Sequence, residues 1–180
     1  MKNSLFTLPV ILVTLIFSSY SLALDEQDKK LISETVFQDM DGNNRVLNDY
    51  IGKEKWTIVM LWISDCHVCN QEASEYDDFH DKHKDTDARI LGISMDGIEG
   101  KRDALAFIKR NEVGFPNLIG DPQTVASLYI RLTGGDWVGT PTFLIFSPAG
   151  ELKAAQPGAV PVSLIEEYII KNSKPADSKM

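Results

Sequence analysis

The chain has only two cysteines in 180 residues, Cys66 and Cys69, and none before Cys66. That absence removes a lipid-modified N-terminal cysteine as a membrane anchor. Basic residues are also in short supply, with 18 Lys and Arg against 26 Asp and Glu and a net charge of −8. No Lys/Arg cluster stands out, so the chain lacks the cationic footprint that binding to a phosphate backbone requires, and nucleic acid is excluded as a partner. A hydrophobic stretch of membrane-spanning length is missing as well. The longest run, Leu5 to Phe17, is broken by Pro9 and falls short of the roughly 20 residues a spanning helix needs. There is no internal repeat, no low-complexity segment and no second domain, which excludes solenoids and arrays.

What that short run does fit is a leader. Lys2 supplies the positive region, Leu5 to Phe17 the apolar core, and Ser21-Leu22-Ala23 a small-x-small cleavage site. Residues 1–23 are therefore expected to be a signal peptide removed near Ala23, placing the mature protein in the periplasm or otherwise outside the cytoplasm. An uncleaved N-terminal anchor is the alternative. Residues 24–173 have the length and composition of one globular domain with a real core, followed by a polar tail over 174–180. In an exported protein, two cysteines serve as a structural staple or as a redox pair. Spacing favours the second use, because a disulfide between Cys66 and Cys69 closes too small a loop to constrain the unfolded chain appreciably.

The pair stands at a junction. Trp56 to Ile63 is a continuous apolar run, which reads as a central parallel strand buried on both faces. A helical pattern begins at Cys66 and extends to about Lys82, with Ser64 or Asp65 as N-cap and Ala73, Tyr76 and His80 on one face. Cys66 then sits in the first turn, where unpaired N–H groups and the positive end of the helix dipole favour its thiolate. Cys69, one turn in, is placed to attack a mixed disulfide on Cys66 and release the partner. Asp65 opposes the thiolate, protonated His67 favours it, and Val68 is neutral in this respect; the sign of the sum is open. Glu72 lies a further turn along, where a partly buried carboxylate could exchange a proton with the Cys69 sulfur, or be a solvated surface acid.

Elsewhere the punctuation is regular. Leu24 to Ile32 reads as a mobile lead-in or short helix, and Thr35 to Gln38 with Arg45 to Leu47 as a hairpin around Asp41-Gly42-Asn43-Asn44. Ala88 to Ser94 is the next strand, followed by a helix with Ala104, Leu105 and Ile108 inward. Phe115 to Ile119 is a short strand, and Asp121-Pro122 opens a helix to about Ile130. A glycine-bearing loop with Trp137 leads to Gly139-Thr140-Pro141. Strand Thr142 to Phe146, turn Ser147 to Gly150 and strand Glu151 to Gln156 form an antiparallel hairpin. A last helix, Val162 to Ile170, turns Leu164, Ile165, Tyr168 and Ile169 inward. The class is α/β, a mixed central sheet flanked by helices.

This order of parts resembles the thioredoxin fold, and within it the TlpA/ResA-like branch of periplasmic thiol-disulfide oxidoreductases. The residues that carry the resemblance are Trp62 four before Cys66, the motif Cys66-His67-Val68-Cys69, Glu72 three beyond it, and Gly139-Thr140-Pro141-Thr142-Phe143-Leu144 ahead of the hairpin. The strand and helix over Ala88 to Arg110 resemble that branch's insertion. The resemblance implies catalysis by Cys66 and Cys69 with Glu72, a cis Pro141, and a substrate groove along Thr140, Pro141, Trp62 and Trp137, although Trp137 reads equally well as packing. It implies no cofactor beyond the redox-active disulfide. Protein thiols and disulfides are the implied partners, with apocytochrome c cysteines as typical substrates, a membrane thiol donor recharging the pair, and a monomer as the working state. Asp65 and His67-Val68 depart from that branch, which often has an aromatic before the first cysteine and a proline inside the motif.

Three rivals are weighed against this reading. A Dsb-like oxidase or isomerase lacks room here for a dimerisation module or a large helical lid. A non-catalytic binding or copper-handling protein would want further soft ligands near the pair. A thiol peroxidase would need no second cysteine at this spacing, and Ile63 stands where its threonine would be. Zinc is excluded by reach, since His80 lies about 16 Å along the helix from Cys69 at 1.5 Å per residue, and His83 farther.

Overall fold

A computed structural model of the chain describes residues 26–173. The expected leader, with Lys2, Leu5 to Phe17 and Ser21 to Ala23, and the polar tail over 174–180 lie outside the described residues. The polar lead-in is a helix, α1 (Glu26–Glu34), whose own Ile32 is buried. Strands β1 (Val36–Asp39) and β2 (Asn44–Val46) make the first hairpin. Its turn is held by Asp39 Oδ1, which accepts from the N–H groups of Asp41 and Asn43 at 3.0 and 2.8 Å.

Strand β3 (Trp56–Trp62) is buried at every position, as its unbroken apolar run requires. Helix α2 (His67–His83) and strand β4 (Ala88–Ser94) follow, then α3 (Lys101–Arg110), β5 (Asn117–Ile119) and α4 (Pro122–Thr133). Strands β6 (Thr142–Phe146) and β7 (Leu152–Pro157) form the closing hairpin, and α5 (Val162–Ser173) completes the domain. The seven strands lie in the order β2-β1-β5-β4-β3-β6-β7. Strand β3 pairs parallel with β4 and antiparallel with β6, so it is the hinge between the two halves of a mixed sheet rather than a strand with parallel neighbours on both sides. The strand–helix unit over Ala88 to Arg110 is present as β4 and α3, with β4 in the sheet interior.

Alternate residues of the central strands feed two separate cores. Trp56, Ile58, Met60 and Trp62 of β3 pack with Ile90, Phe143 and Ile145 under α2, α3 and α5. Val59 and Leu61 pack with Leu91, Ile93, Leu144 and Phe146 against α1 and α4. A strand sandwiched in this way has no polar face, and so its sequence shows no alternation. Each large apolar side chain fully buried here contributes about 1.5–3 kcal/mol.

Three local expectations are corrected. In α3 the inward face is Ala104 and Phe107, with Ile108 partly covered, whereas Leu105 is 42% exposed because it lies one residue out of phase with that stripe. In α5 Ile165 and Ile169 are buried and Leu164 faces solvent for the same reason. Helix α4 runs past Ile130 to Thr133, because Gly134 takes the left-handed conformation, φ 68°, and its N–H closes onto the Ile130 carbonyl at 2.8 Å. At the other end of α4, Asp121 caps as its sequence implies, with Oδ1 accepting from Gln123 and Thr124 N–H at 3.0 Å each.

A redox-capable cysteine pair at a helix start

Where β3 ends, the chain makes a short approach and enters α2. The helix has its N-cap at Cys66 itself and not at Ser64 or Asp65. Its backbone is extended, φ −67° and ψ 112°, and its sulfur accepts the Cys69 N–H at 3.1 Å. Serine and aspartate are better caps in general, but Ser64 is already engaged by another partner and Asp65 points into solvent. The consequence is chemical. The sulfur that must carry negative charge as a nucleophile is the atom receiving a free amide of the helix's first turn.

Cys66 and Cys69 are disulfide-bonded, with Cα atoms 5.2 Å apart. Cys66 is partly exposed and Cys69 is fully buried, so an incoming sulfur can reach only the first. Cys66 Sγ lies 3.6 Å from the Thr140 carbonyl oxygen. While the disulfide is intact there is no S–H to donate. After reduction the Cys66 thiol can donate to that carbonyl, which favours the thiol and opposes the helix start.

The approach segment is clamped by residues the sequence did not advertise. Both carboxylate oxygens of Asp96 accept from Ser64 N–H at 3.1 Å, and they accept from the Ser64 and Ser94 hydroxyls at 2.7 and 2.6 Å. Behind it, Asn70 Nδ2 donates to the carbonyls of Ser64 and Cys66 at 3.2 and 2.8 Å, while Asn70 Oδ1 accepts from Arg110 and Asn111 at 2.6 and 3.1 Å. The signal that could have found Asp96 is register. Trp62 pairs with Ser94 across the parallel strands, so the residues two beyond each, Ser64 and Asp96, emerge side by side.

Glu72 is half-buried on α2, with Oε2 3.1 Å from the Tyr76 hydroxyl. Burial pushes its carboxyl above the usual range and the charge of Glu75 adds to it, whereas a hydrogen donated by Tyr76 would act the other way. An acid held above its ordinary range binds its proton more tightly folded than unfolded, so stability is lost as pH rises through the folded value. Asp65, His67 and Val68 all lie exposed at the motif.

The Thr140–Pro141 peptide bond is cis, Pro141 is buried, and its carbonyl accepts from Gly158 N–H at 2.8 Å. Trp62 requires a correction. It is fully buried, stacked on Phe107 at 4.2 Å between centroids, with Nε1 donating to Asn117 Oδ1 at 3.1 Å. A ring with no exposed surface cannot line a substrate groove, and Trp62 instead forms part of the core beneath the motif. Trp137 is half-buried and meets Tyr129 edge-on at 5.5 Å, which is the packing role, with its outer part left at the surface. His80 is buried, its Nδ1 accepting Ile90 N–H at 3.1 Å, and the ring nitrogens of His83 face Asp87 and Glu166. Neither turns toward the cysteines.

The comparisons with known proteins agree with this geometry. Sporulation thiol-disulfide oxidoreductase A of Bacillus subtilis is 22% identical over 64% of this chain and 67% of its own length. Thiol-disulfide oxidoreductase YkuV of the same organism is 24% identical over 71% and 83%. Among solved structures, a secreted Mycobacterium tuberculosis disulfide oxidoreductase homologous to Escherichia coli DsbE superposes with a TM-score of 0.60 at 16% identity, covering 80% of this chain and 98% of that one, which shows the shared thioredoxin-like fold. The AhpC/TSA family profile matches residues 28–155, from α1 into β7 and across the whole of the cysteine site. The chain belongs to the AhpC/TSA family of thioredoxin-fold proteins.

Proposed function

We propose that this thiol-disulfide oxidoreductase works outside the cytoplasm as a reductant of selected partner proteins. The observation that carries the reading is the asymmetry of the pair, with a reachable Cys66 at the helix start beside Thr140–Pro141 and a fully buried Cys69 behind it. A partner segment docks in extended form along Thr140–Pro141. The Cys66 thiolate attacks one sulfur of the partner's disulfide; that S–S bond breaks, and the departing thiolate takes a proton. The Cys69 sulfur, its proton passing to Glu72, then attacks Cys66 and releases the second partner thiol. Two electrons move from this chain to the partner; one of the partner's two protons comes from Cys69 by way of Glu72 and the other from solvent, into which Cys66 ionised, leaving the Cys66–Cys69 disulfide. No separate cofactor is required. A thiol donor at the membrane restores the dithiol, and the chain acts as a monomer. By its resemblance to the TlpA/ResA-like branch, the haem-site cysteines of apocytochrome c are the proposed substrate.

The direction of flow rests on charge. The helix start stabilises the thiolate and pushes toward an oxidant, whereas the Thr140 carbonyl facing Cys66 and the Asp65 carboxylate push the other way. Equilibration with glutathione buffers is expected to give a potential below about −200 mV, and a value well above about −180 mV with ready oxidation of an unfolded dithiol would make the protein an oxidase or isomerase. Export is expected to remove residues 1–23. Intact-mass measurement of the protein recovered outside the cytoplasm reads this directly, and a species that keeps Leu5 to Phe17 would be an anchored form.

A further inference from the structure

Tyr76 presents one hydrogen to two oxygens. Its hydroxyl lies 2.7 Å from the Val160 carbonyl and 3.1 Å from Glu72 Oε2, and a phenol has a single O–H in the plane of its ring. The ring is fixed, buried at 1% exposure and packed on Phe143 at 4.9 Å between centroids, so the oxygen stays between the two acceptors and its single hydrogen points at one of them at a time. The shorter contact takes the hydrogen. The half-buried Val160 carbonyl has no other protein donor among the described residues. What remains toward Glu72 is the lone pair of the phenol oxygen, which repels a carboxylate and accepts from a carboxylic acid.

We propose that Tyr76 is a positioning residue that holds Glu72 as the neutral acid, with its own hydrogen committed to Val160 and its oxygen accepting the Glu72 proton. The inference rests on and deepens the proposed role of Glu72 as proton partner of Cys69: in the oxidised protein the neutral Glu72 is the donor that protonates the Cys69 sulfur when the disulfide is reduced, and the carboxylate so formed takes that proton back when Cys69 attacks. The surrounding charges leave this arrangement intact. On α2 the neighbouring acid is Glu75, whose charge also disfavours ionised Glu72. On α5, Glu166 is taken up by Lys82 and His83. β6 contributes only the Phe143 ring, and the segment after β7 only the Val160 carbonyl. Burial pushes the phenol itself upward, so Tyr76 keeps its hydrogen over the working range of pH. Val160 follows closely on Gly158, whose N–H is bonded to Pro141, so the proton on Glu72 is linked through one short segment to the loop facing Cys66.

The test is a carbon-detected NMR titration of the Glu72 side-chain carboxyl in the oxidised protein and in Tyr76→Phe, which keeps the ring against Phe143. The midpoint is expected to fall in the variant, because the acceptor that holds the proton has gone. A raised midpoint would mean that the phenol donates to a carboxylate, an unchanged one that the phenol does not act on the Glu72 proton, and either overturns the proposal. The rate of reduction by a small dithiol is followed over the same pH range in both proteins and with Glu72→Gln added to each. The acid limb is expected to move with the NMR midpoint and to vanish in the proteins that carry Glu72→Gln. A midpoint that falls while the limb stays still leaves the Tyr76 inference standing and sinks the proton-shuttle role of Glu72.

Discussion

With Cys69 replaced by serine, the protein is expected to accumulate as covalent mixed disulfides with its partners, and turnover is expected to fall to background. The buried Cys69 is the only sulfur that can reach Cys66 from within the chain, so removing it leaves the intermediate with no internal route to release. Cys66→Ser is the matched control. Serine is a good N-cap, and its hydroxyl can accept the Cys69 N–H that the Cys66 sulfur now accepts, so the helix start survives while the nucleophile is lost. That variant should trap nothing, since its remaining thiol is enclosed. Non-reducing electrophoresis with mass analysis of the adducts distinguishes the two, and trapping by Cys66→Ser alone would reverse the assignment of attacker and resolver.

Gly92→Ala is expected to destabilise the fold by about 3 kcal/mol, combining overpacking with the loss of a buried hydrogen bond. Gly92 lies in β4 beneath the Trp62–Asn117 pair, and a Cβ there would fall 1.9 Å from Asn117 Oδ1 and 2.8 Å from Trp62 Nε1. Asn117 cannot swing clear without cost, because its Nδ2 donates to the Phe115 carbonyl at 2.8 Å. The loss would be a large part of a typical domain stability of roughly 5–15 kcal/mol. Urea unfolding should show a lower midpoint at unchanged slope, and a loss under about 1 kcal/mol would mean that the pair is free to move.

Much of the fold was legible because its signals are local. The unbroken run of β3, the Asp121-Pro122 cap and the Ser147 to Gly150 turn each state their own structure within a few residues. The cysteine pair was legible for the same reason, since spacing and position at a strand–helix junction are sequence properties. What stayed hidden depends on register between distant segments. Asp96 meets Ser64 only because β3 and β4 pair with Trp62 opposite Ser94. Arg110 and Asn111 meet Asn70 only once α3 lies beside α2. Trp62 was misplaced because proximity to the motif in sequence says nothing about which face of a buried strand a side chain takes. Leu105 and Leu164 were turned inward because an apolar residue adjacent to the core stripe of a helix fits two phases nearly as well.

The capping contact between Cys69 N–H and Cys66 Sγ makes the protein its own indicator. The acceptor in that bond is neutral in the disulfide, anionic in the attacking form, and again neutral when a partner is attached. The strength of the bond, and with it the amide's proton frequency and its rate of exchange with solvent, follows the charge on a single sulfur. A residue enclosed from solvent thus reports the state of the exposed one, with no dye, tag or added chromophore, at the atom where the chemistry occurs.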